Sequence, residues 1–279
     1  MIPTCNRPDS LAACLERLAP GSQILPAAEY EVIVADDGSE SVQDLLRRRF
    51  PWARWVAGPR RGPAANRNRG TAAAQGEWIA FTDDDCVPDR GWLAGYATVM
   101  ASGGKSLPVL EGRTYVDRPR SHPFEFSPVN ESGGHLWSCN FAIRRDLFLA
   151  LAGFDERFPY SAMEDMELRV RLAERGIEPR FVPGAAVLHP WRRIADWRQH
   201  AARHLASRLL MESLHPGKGF PVSAWRAFRV HLRVTMTEHV PWLVRHPADL
   251  TRELPSMWVT MIEDVWTTWK QRSRGVRNP

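Results

Sequence analysis

From its first residues to Phe81 the sequence alternates short β-rich apolar runs with helical stretches, at ~25–30 residues per unit. That rhythm predicts an α/β domain with a parallel sheet and right-handed crossovers, whose ligands sit beyond the carboxyl ends of the strands. Ile2–Pro8 reads as a strand end entering a loop, and Asp9 or Ser10 can cap a helix with apolar positions Leu11, Cys14, Leu15 and Leu18. Residues 30–35 form a strand stopped by the turn Asp36–Ser39, 41–50 a helix, 52–57 a short strand, and 62–70 the start of another helix. Trp78–Phe81 is a short apolar run of the kind buried on both faces of a sheet. Only Met1 and Ile2 precede Pro3, whereas a buried strand usually has about five or six residues. The expectation is therefore that residues precede Met1 in the natural product.

Asp83, Asp84 and Asp85 follow that buried run without a spacer. Three adjacent carboxylates repel one another and need a cation or ample water. In an extended chain Asp83 and Asp85 point one way and Asp84 the other. Such a pair at a strand's end suits a hard divalent ion with oxygen ligands, although an acidic turn that caps the helix after Pro88 has the same composition. The other strand ends contribute Thr4–Arg7, Asp36–Asp37 and Arg67–Arg69. Four clusters at one edge, mixing acids with arginines, point to a site for an anionic nucleotide with a metal.

Farther on, 109–116 reads as a strand and 117–134 as a long loop, of the length that is usually functional or mobile. Residues 137–143 read as a strand, 146–152 as a helix and 153–158 as a turn. A helix over 163–176 ends at Gly176; Met163, Met166, Val170 and Ala173 keep helical spacing beside Leu168 and Leu172. Glu164 and Asp165 lie in its first turn, where the helix dipole favours a carboxylate. Residues 180–182 and 186–188 form short strands around Pro183–Gly184, followed by His189. From Asp196 onward the pattern is helical, roughly over 196–214, 223–244 and 249–271. This divides the chain into a catalytic domain, 1–193, and a helical extension, 194–279.

Composition narrows the class. The 279 residues are 44% apolar and 25% charged, as in a soluble globular protein, and no run of ~18 apolar residues occurs. The N-terminus has no apolar signal region, and the four cysteines lack Cys-x-x-Cys spacing, so reduced thiols in the cytoplasm are expected, without structural zinc. The net charge of +5 is uneven: Trp191–Pro279 carries 15 Lys/Arg against 7 Asp/Glu, with seven of the twelve tryptophans. A basic, Trp-rich part on a mildly acidic body makes a surface for anionic partners.

The ordered motifs Pro3-Thr4-x-Asn6-Arg7, Val34–Ser39 with Asp36 and Asp37, Arg67-Asn68-x-Gly70, Asp83-x-Asp85, Gly153–Asp155, Glu164-Asp165-x-Glu167-Leu168 and His189 resemble those of the family 2 glycosyltransferases of the GT-A fold. The match runs from Ile2 to about Arg193, and it is the order and spacing of the set that carry it. The resemblance implies a mixed, mostly parallel Rossmann-like sheet flanked by helices. It also implies inverting transfer of a sugar from a UDP- or dTDP-linked donor to a hydroxyl, with Mg²⁺ or Mn²⁺. Asp85 would hold the metal with Asp83 and His189. Pro3, Thr4, Arg7, Asp36, Asp37, Arg67, Asn68 and Asp84 would line the nucleotide, with Asp37 accepting a hydrogen bond from a pyrimidine imide. Asp165 matches the catalytic base, kept ionised by its helix N-terminus, and Glu164 shapes the acceptor site. Trp137 and Asn140 would border the acceptor, a glycan or lipid-linked glycan of cell-surface synthesis, with Arg144 nearby. Arg67 and Arg69 compete for one role, and Glu167 stands where many relatives carry Asp.

Other readings are a non-catalytic nucleotide-sugar or glycan-binding relative, and a nucleotidyltransferase, although Thr4–Asp9 lacks the glycine-rich loop that class needs. No nucleic-acid motif accompanies the basic part. For the extension, Trp225, Phe228, Leu232, Trp258, Ile262, Val265 and Trp269 either pack on the catalytic body or belong to basic amphipathic helices on an anionic bilayer face.

Overall fold

The computed structural model describes residues 1–103, 106–194, 196–220, 222–247, 258–259, 261–263 and 265–270. The chain divides into two units, one of Met1–Arg118 and Ser127–Pro190, the other of Pro119–Phe126 and Trp191–Pro279.

The first unit begins with β1 (Ile2–Thr4), α1 (Pro8–Leu18), β2 (Val32–Asp36), α2 (Gln43–Arg49), β3 (Ala53–Ala57), α3 (Pro63–Ala72) and β4 (Trp78–Thr82). β1, β2 and β3 pair in parallel in that order, as the strand–helix alternation predicts. α1 starts before the expected Asp9 or Ser10 cap. Pro8 occupies its first turn, where an N–H is not needed, and no side chain caps it. Leu11, Cys14, Leu15 and Leu18 are buried, as their spacing requires. Met1 joins β1 to β4: its nitrogen donates to the Ala80 carbonyl at 2.8 Å, and its carbonyl accepts from Thr82 N–H at 3.2 Å.

The chain continues through β5 (Val87–Pro88), α4 (Trp92–Gly103), β6 (Val109–Tyr115), β7 (Glu125–Phe126, in the second unit), β8 (Asn140–Arg144), α5 (Arg145–Ala150), α6 (Glu164–Glu174) and β9 (Arg180–Leu188). These strands extend the sheet in the order β4-β8-β6-β9-β5, with β8 antiparallel to both neighbours and β6 parallel to β9. The strand set is therefore mixed, parallel through β1, β2 and β3 and between β6 and β9, and antiparallel elsewhere. β9 is one strand rather than two short ones. A register shift against Gly112 and Arg113 absorbs the Pro183–Gly184 segment. Part of the 117–134 loop is also pinned, since Asn130 exchanges backbone hydrogen bonds with Thr114 at 3.0 and 2.8 Å.

Burial fixes where β4 ends. Phe81 is fully buried, stacked on Phe141 at 4.8 Å and against Phe148 and Phe154 at 5.4 Å each. Such ring pairs contribute about 0.5–1.5 kcal/mol each beyond area burial. They hold the residue two positions before Asp83.

In the second unit β10 (Arg192–Arg193) pairs antiparallel with β7, and α7 (Trp197–Leu214) is capped by Asp196, which accepts from Gln199 N–H at 2.9 Å. The helix expected over 223–244 is interrupted: α8 (Ala224–Val234) leads through a π turn, Thr235–His239, into α9 (Val240–Arg245). Of the helix expected over 249–271, the segments 249–257, 260, 264 and 271 lie outside the described residues; 258–259, 261–263 and 265–270 are helical. Trp225 is 67% exposed and Ile262 61%, with Leu232, Trp258 and Trp269 also exposed, so these side chains are not core residues.

Candidate active site

The carboxyl ends of β1 and β4 meet first. Residues 83–86 form a turn beyond β4 rather than extended strand, so the expected alternation does not apply, and Asp84 is buried there. It accepts from Thr4 Oγ1 at 2.7 Å and pairs with Arg7 at 2.5 Å. Arg7 also reaches Asp85 at 2.8 Å. Burial pushes the Asp84 carboxyl up to about 7, against the opposing pull of Arg7 and Thr4. Asp84 and Thr4 thus fasten β1 to β4, and Pro3 is a buried β1 residue paired with Ala35.

Arg67 decides the architecture. It is 1% exposed, and its guanidinium pairs with Asp83 at 2.7 Å and with Glu164 at 3.0 Å, over the Phe154 ring. A buried arginine needs such partners, because an uncompensated charge there is costly. The expected competition between Arg67 and Arg69 ends here: Arg69 is directed to the Ala57 carbonyl at 3.3 Å. Arg67 is committed to two carboxylates, so its contact is with them and not with an open phosphate pocket.

Glu164 and Asp165 open α6. Met163, at the N-cap, has φ of 73°, a left-handed conformation that a non-glycine residue adopts at a cost of order 1 kcal/mol. The kink sets the direction in which α6 begins. Asp165 accepts from Ser138 N–H at 3.2 Å and from Met166 N–H at 2.8 Å. Burial nonetheless raises its carboxyl, outweighing the two N–H donors that the helix-terminus expectation relied on. Glu164 is pushed up to about 7 by burial and then by the charge of Asp165, while Ser138 Oγ donates to it at 3.4 Å. The pair therefore holds protons more tightly than free carboxyls do.

His189, immediately after β9, is fully buried. Its Nδ1 lies 3.0 Å from the Pro190 carbonyl; its Nε2 has no hydrogen-bond partner among the described residues and faces Asp85 Oδ1 at 3.6 Å. A buried imidazole nitrogen aimed at a carboxylate oxygen fits a divalent ion, which binds the neutral ring and the ionised acid. Asp85 and His189 are therefore suited to hold one, whereas Asp83, expected beside them, is turned to Arg67 at 2.7 Å.

Other expected residues have partners of their own. Asp36 accepts from Gly38 N–H, Ser41 Oγ, Val42 N–H and Trp55 Nε1 at 2.9–3.2 Å, and so builds the turn after β2. Asn68 is clipped to the backbone of Phe154, donating and accepting at 2.9 Å. Asn140 spends both amide protons on the Arg113 and Ala185 carbonyls and its oxygen on Trp92 and Tyr96. Its amide is thus saturated inside the sheet, with no capacity for an acceptor. Arg144 pairs with Asp146 at 2.6 Å. Asp37, half-buried, accepts from Arg60 N–H at 2.7 Å, and burial raises its carboxyl. Trp137 lies flat on His135, 5.1 Å between centroids and 3° between planes, with Nε1 donating to the Val129 carbonyl.

Two contributors had no signal in the sequence. Ser138 orients both acids of α6. Glu111, buried in β6, accepts from His135 and Leu136 N–H at 3.1 and 2.9 Å and from Gly134 N–H, anchoring the loop that delivers Ser138. Gly133 has φ of +87°, and a Cβ there would meet Glu111 at 2.7 Å.

Comparison with known proteins gives the family. Residues 1–151 match the family profile "Glycosyl transferase family 2". The chain belongs to that family. This family 2 member is 32% identical over 248 residues to glycosyltransferase AglE of Haloferax volcanii, covering 84% of this chain and 75% of AglE. It is 30% identical over 177 residues to the pre-mycofactocin glycosyltransferase of Mycobacterium tuberculosis, 58% of this chain but only 37% of that protein's length. Among solved structures, S. aureus TarS 1-349 in complex with UDP aligns over 99% of this chain and 90% of its own, with TM-score 0.56 and 18% identity. The mannosyltransferase PcManGT of Pyrobaculum calidifontis, solved with GDP-Man and Mn²⁺, aligns over 97% and 85%, with TM-score 0.58 and 18% identity. The family 2 chain has the GT-A fold.

Proposed function

We propose that the chain is a metal-dependent inverting glycosyltransferase that moves a hexosyl or deoxyhexosyl group from a UDP- or dTDP-sugar to a hydroxyl. The observation that carries this reading is the Arg67 bridge, which reaches Asp83 16 positions away and Glu164 97 positions away, and so brings the acids after β4 and those opening α6 to one site. A divalent ion, when bound, would act as a Lewis acid on the departing diphosphate, and Asp85 and His189 are the residues to hold it, with Asp83 kept beside them by Arg67. On the other side Asp165, with Ser138 and Met166 fixing its orientation, takes the acceptor's proton. The acceptor oxygen bonds to the anomeric carbon, and the nucleoside diphosphate leaves with the electron pair of the broken C–O bond. Glu164 and the half-buried Trp137 border the acceptor. Asp37 accepts from the base imide, beside Thr4 and Arg7. The nucleotide complexes of TarS and PcManGT, and the Mn²⁺ of the latter, support a nucleotide-sugar donor and a divalent ion.

A thermal-shift panel of nucleotide diphosphates with and without Mn²⁺ tests the donor side. At 100-fold excess over Kd, UDP or dTDP adds about 2.7 kcal/mol only when metal is present, and Asp85→Ala abolishes the gain. Asp165→Asn keeps the shift and loses transfer. Full turnover by that variant removes Asp165 as the base.

For the acceptor, we infer a glycan or lipid-linked precursor of the cell envelope, reached from the cytoplasm at the inner face of the membrane. Among the described residues no helix is long and apolar enough to cross a bilayer. The second unit instead exposes Trp225, Met236 and Val244, the last at 74%, alongside exposed Arg229, Arg233 and Arg245. Apolar side chains flanked by arginines suit an anionic lipid surface.

A further inference from the structure

Cys86 follows the half-buried Asp85 directly and is itself buried, in the turn between β4 and β5. Its Sγ, a carboxylate oxygen of Asp85 and a ring nitrogen of His189 lie within 4.8 Å of one another. The thiol's hydrogen bond to the Cys139 carbonyl is 4.0 Å long, the outer limit for sulfur, so the sulfur has only a weak partner on that side. Across from it, the buried His189 Nε2 has no hydrogen bond among the described residues and faces the same Asp85 carboxylate at 3.6 Å. We propose that Cys86 is a third protein ligand of the divalent ion, making the centre a Cys–His–Asp site that prefers thiophilic ions such as Zn²⁺ or Cd²⁺ to Mg²⁺. This rests on the divalent-ion reading of the same cleft and adds a donor that reading does not use.

The chemistry is balanced simply. The S–H bond breaks, its proton goes to solvent, and the sulfur lone pair bonds the metal, which deprotonates a coordinating thiol outright. With oxygen and nitrogen donors alone, affinity for Mg²⁺ and Mn²⁺ is set by size and hydration. One thiolate shifts the balance, because Mg²⁺ binds sulfur poorly whereas Zn²⁺ and Cd²⁺ bind it well. The remaining coordination positions stay open to the donor's diphosphate, as a three-ligand catalytic centre requires.

Cd²⁺ titration of the full chain reads the sulfur directly, through the thiolate-to-cadmium charge-transfer band in the ultraviolet. The band is expected in the wild type and in Cys5→Ser and Cys139→Ser, and absent in Cys86→Ser and Cys86→Ala. The Cd²⁺ dissociation constant should rise by at least ~10-fold on losing Cys86, since even outer-shell losses cost that much. The cadmium-113 resonance of wild-type protein, shifted toward the sulfur-ligated range, gives the same answer without any variant. A band that survives in Cys86→Ser, or that vanishes in Cys139→Ser instead, overturns the proposal. Mn²⁺ binding by electron paramagnetic resonance separates the two levels of failure. If Mn²⁺ binds and no charge-transfer band forms, the ion is held without Cys86. If neither ion binds, the proposal falls together with the metal reading beneath it.

Discussion

At Glu164 two demands conflict. The side chain must be negative to pair with Arg67, yet burial and the adjacent Asp165 favour its protonated form, and the result is a carboxyl pushed up to about 7 from an ordinary 4.5. The consequence for stability has a definite sign. Between pH 4.5 and 7 the unfolded chain has lost this proton while the folded chain still holds it, so folding stability falls as pH rises through that window. One such group contributes a slope of at most about 1.4 kcal/mol per pH unit. Glu164→Gln removes its share, so urea midpoints measured from pH 5 to 7.5 should decline less steeply in the variant than in the wild type. Equal slopes would show that Glu164 titrates normally in the folded protein. Asp84 changes in the same direction from the same cause, which is why the comparison of variant with wild type, rather than the wild-type curve alone, isolates Glu164.

At the level of elements, the site depends on close approach between loops that follow different strands. Gly58, just after β3, shows how tight that approach is. A Cβ there would lie 2.1 Å from Asp37 Oδ1, 2.5 Å from Asn66 Oδ1 and 2.8 Å from the Asp36 carbonyl. Gly58→Ala must therefore displace the turn that carries Asp37, at a cost of roughly 1–3 kcal/mol for overpacking. Nucleotide binding should weaken with it, as measured by the thermal shift with UDP and Mn²⁺. Gly184→Ala is the control, because only Gly95 Cα comes as near as 4.0 Å to its added Cβ; it should leave both stability and binding unchanged. A neutral Gly58→Ala would mean that the β2 and β3 loops have slack and that Asp37 is not held in place by packing.

On the scale of the whole molecule, charge and apolar exposure are unequally divided. The second unit carries most of the exposed large apolar side chains, Trp225, Val230, Met236, Val244 and Trp266 among them, and the sequence from Trp191 onward has a net charge of +8. Phosphatidylserine vesicles should co-sediment the full chain at low salt and release a large part of it at high salt, because each basic group near an anionic surface contributes about 1 kcal/mol, screened over a Debye length. Absence of salt-sensitive binding would leave the exposed tryptophans without a lipid role.

The sequence by itself determined the strand–helix rhythm, the parallel β1–β2–β3 core and the positions of the acidic and basic clusters at strand ends. Those features follow from local periodicity and turn chemistry, which neighbouring residues specify together. Tertiary structure decided which of Arg67 and Arg69 is buried, that Asp36, Asn68 and Asn140 are consumed by the scaffold, and that Glu111 and Ser138 support the α6 acids. It also decided that β8 runs antiparallel between β4 and β6. Each of these is settled by a partner tens of residues away: Arg67 finds Glu164 across 97 positions, and Asn140 finds Trp92 across 48. A buried polar group must be satisfied by whatever the fold brings to it, and no local pattern encodes which group that will be.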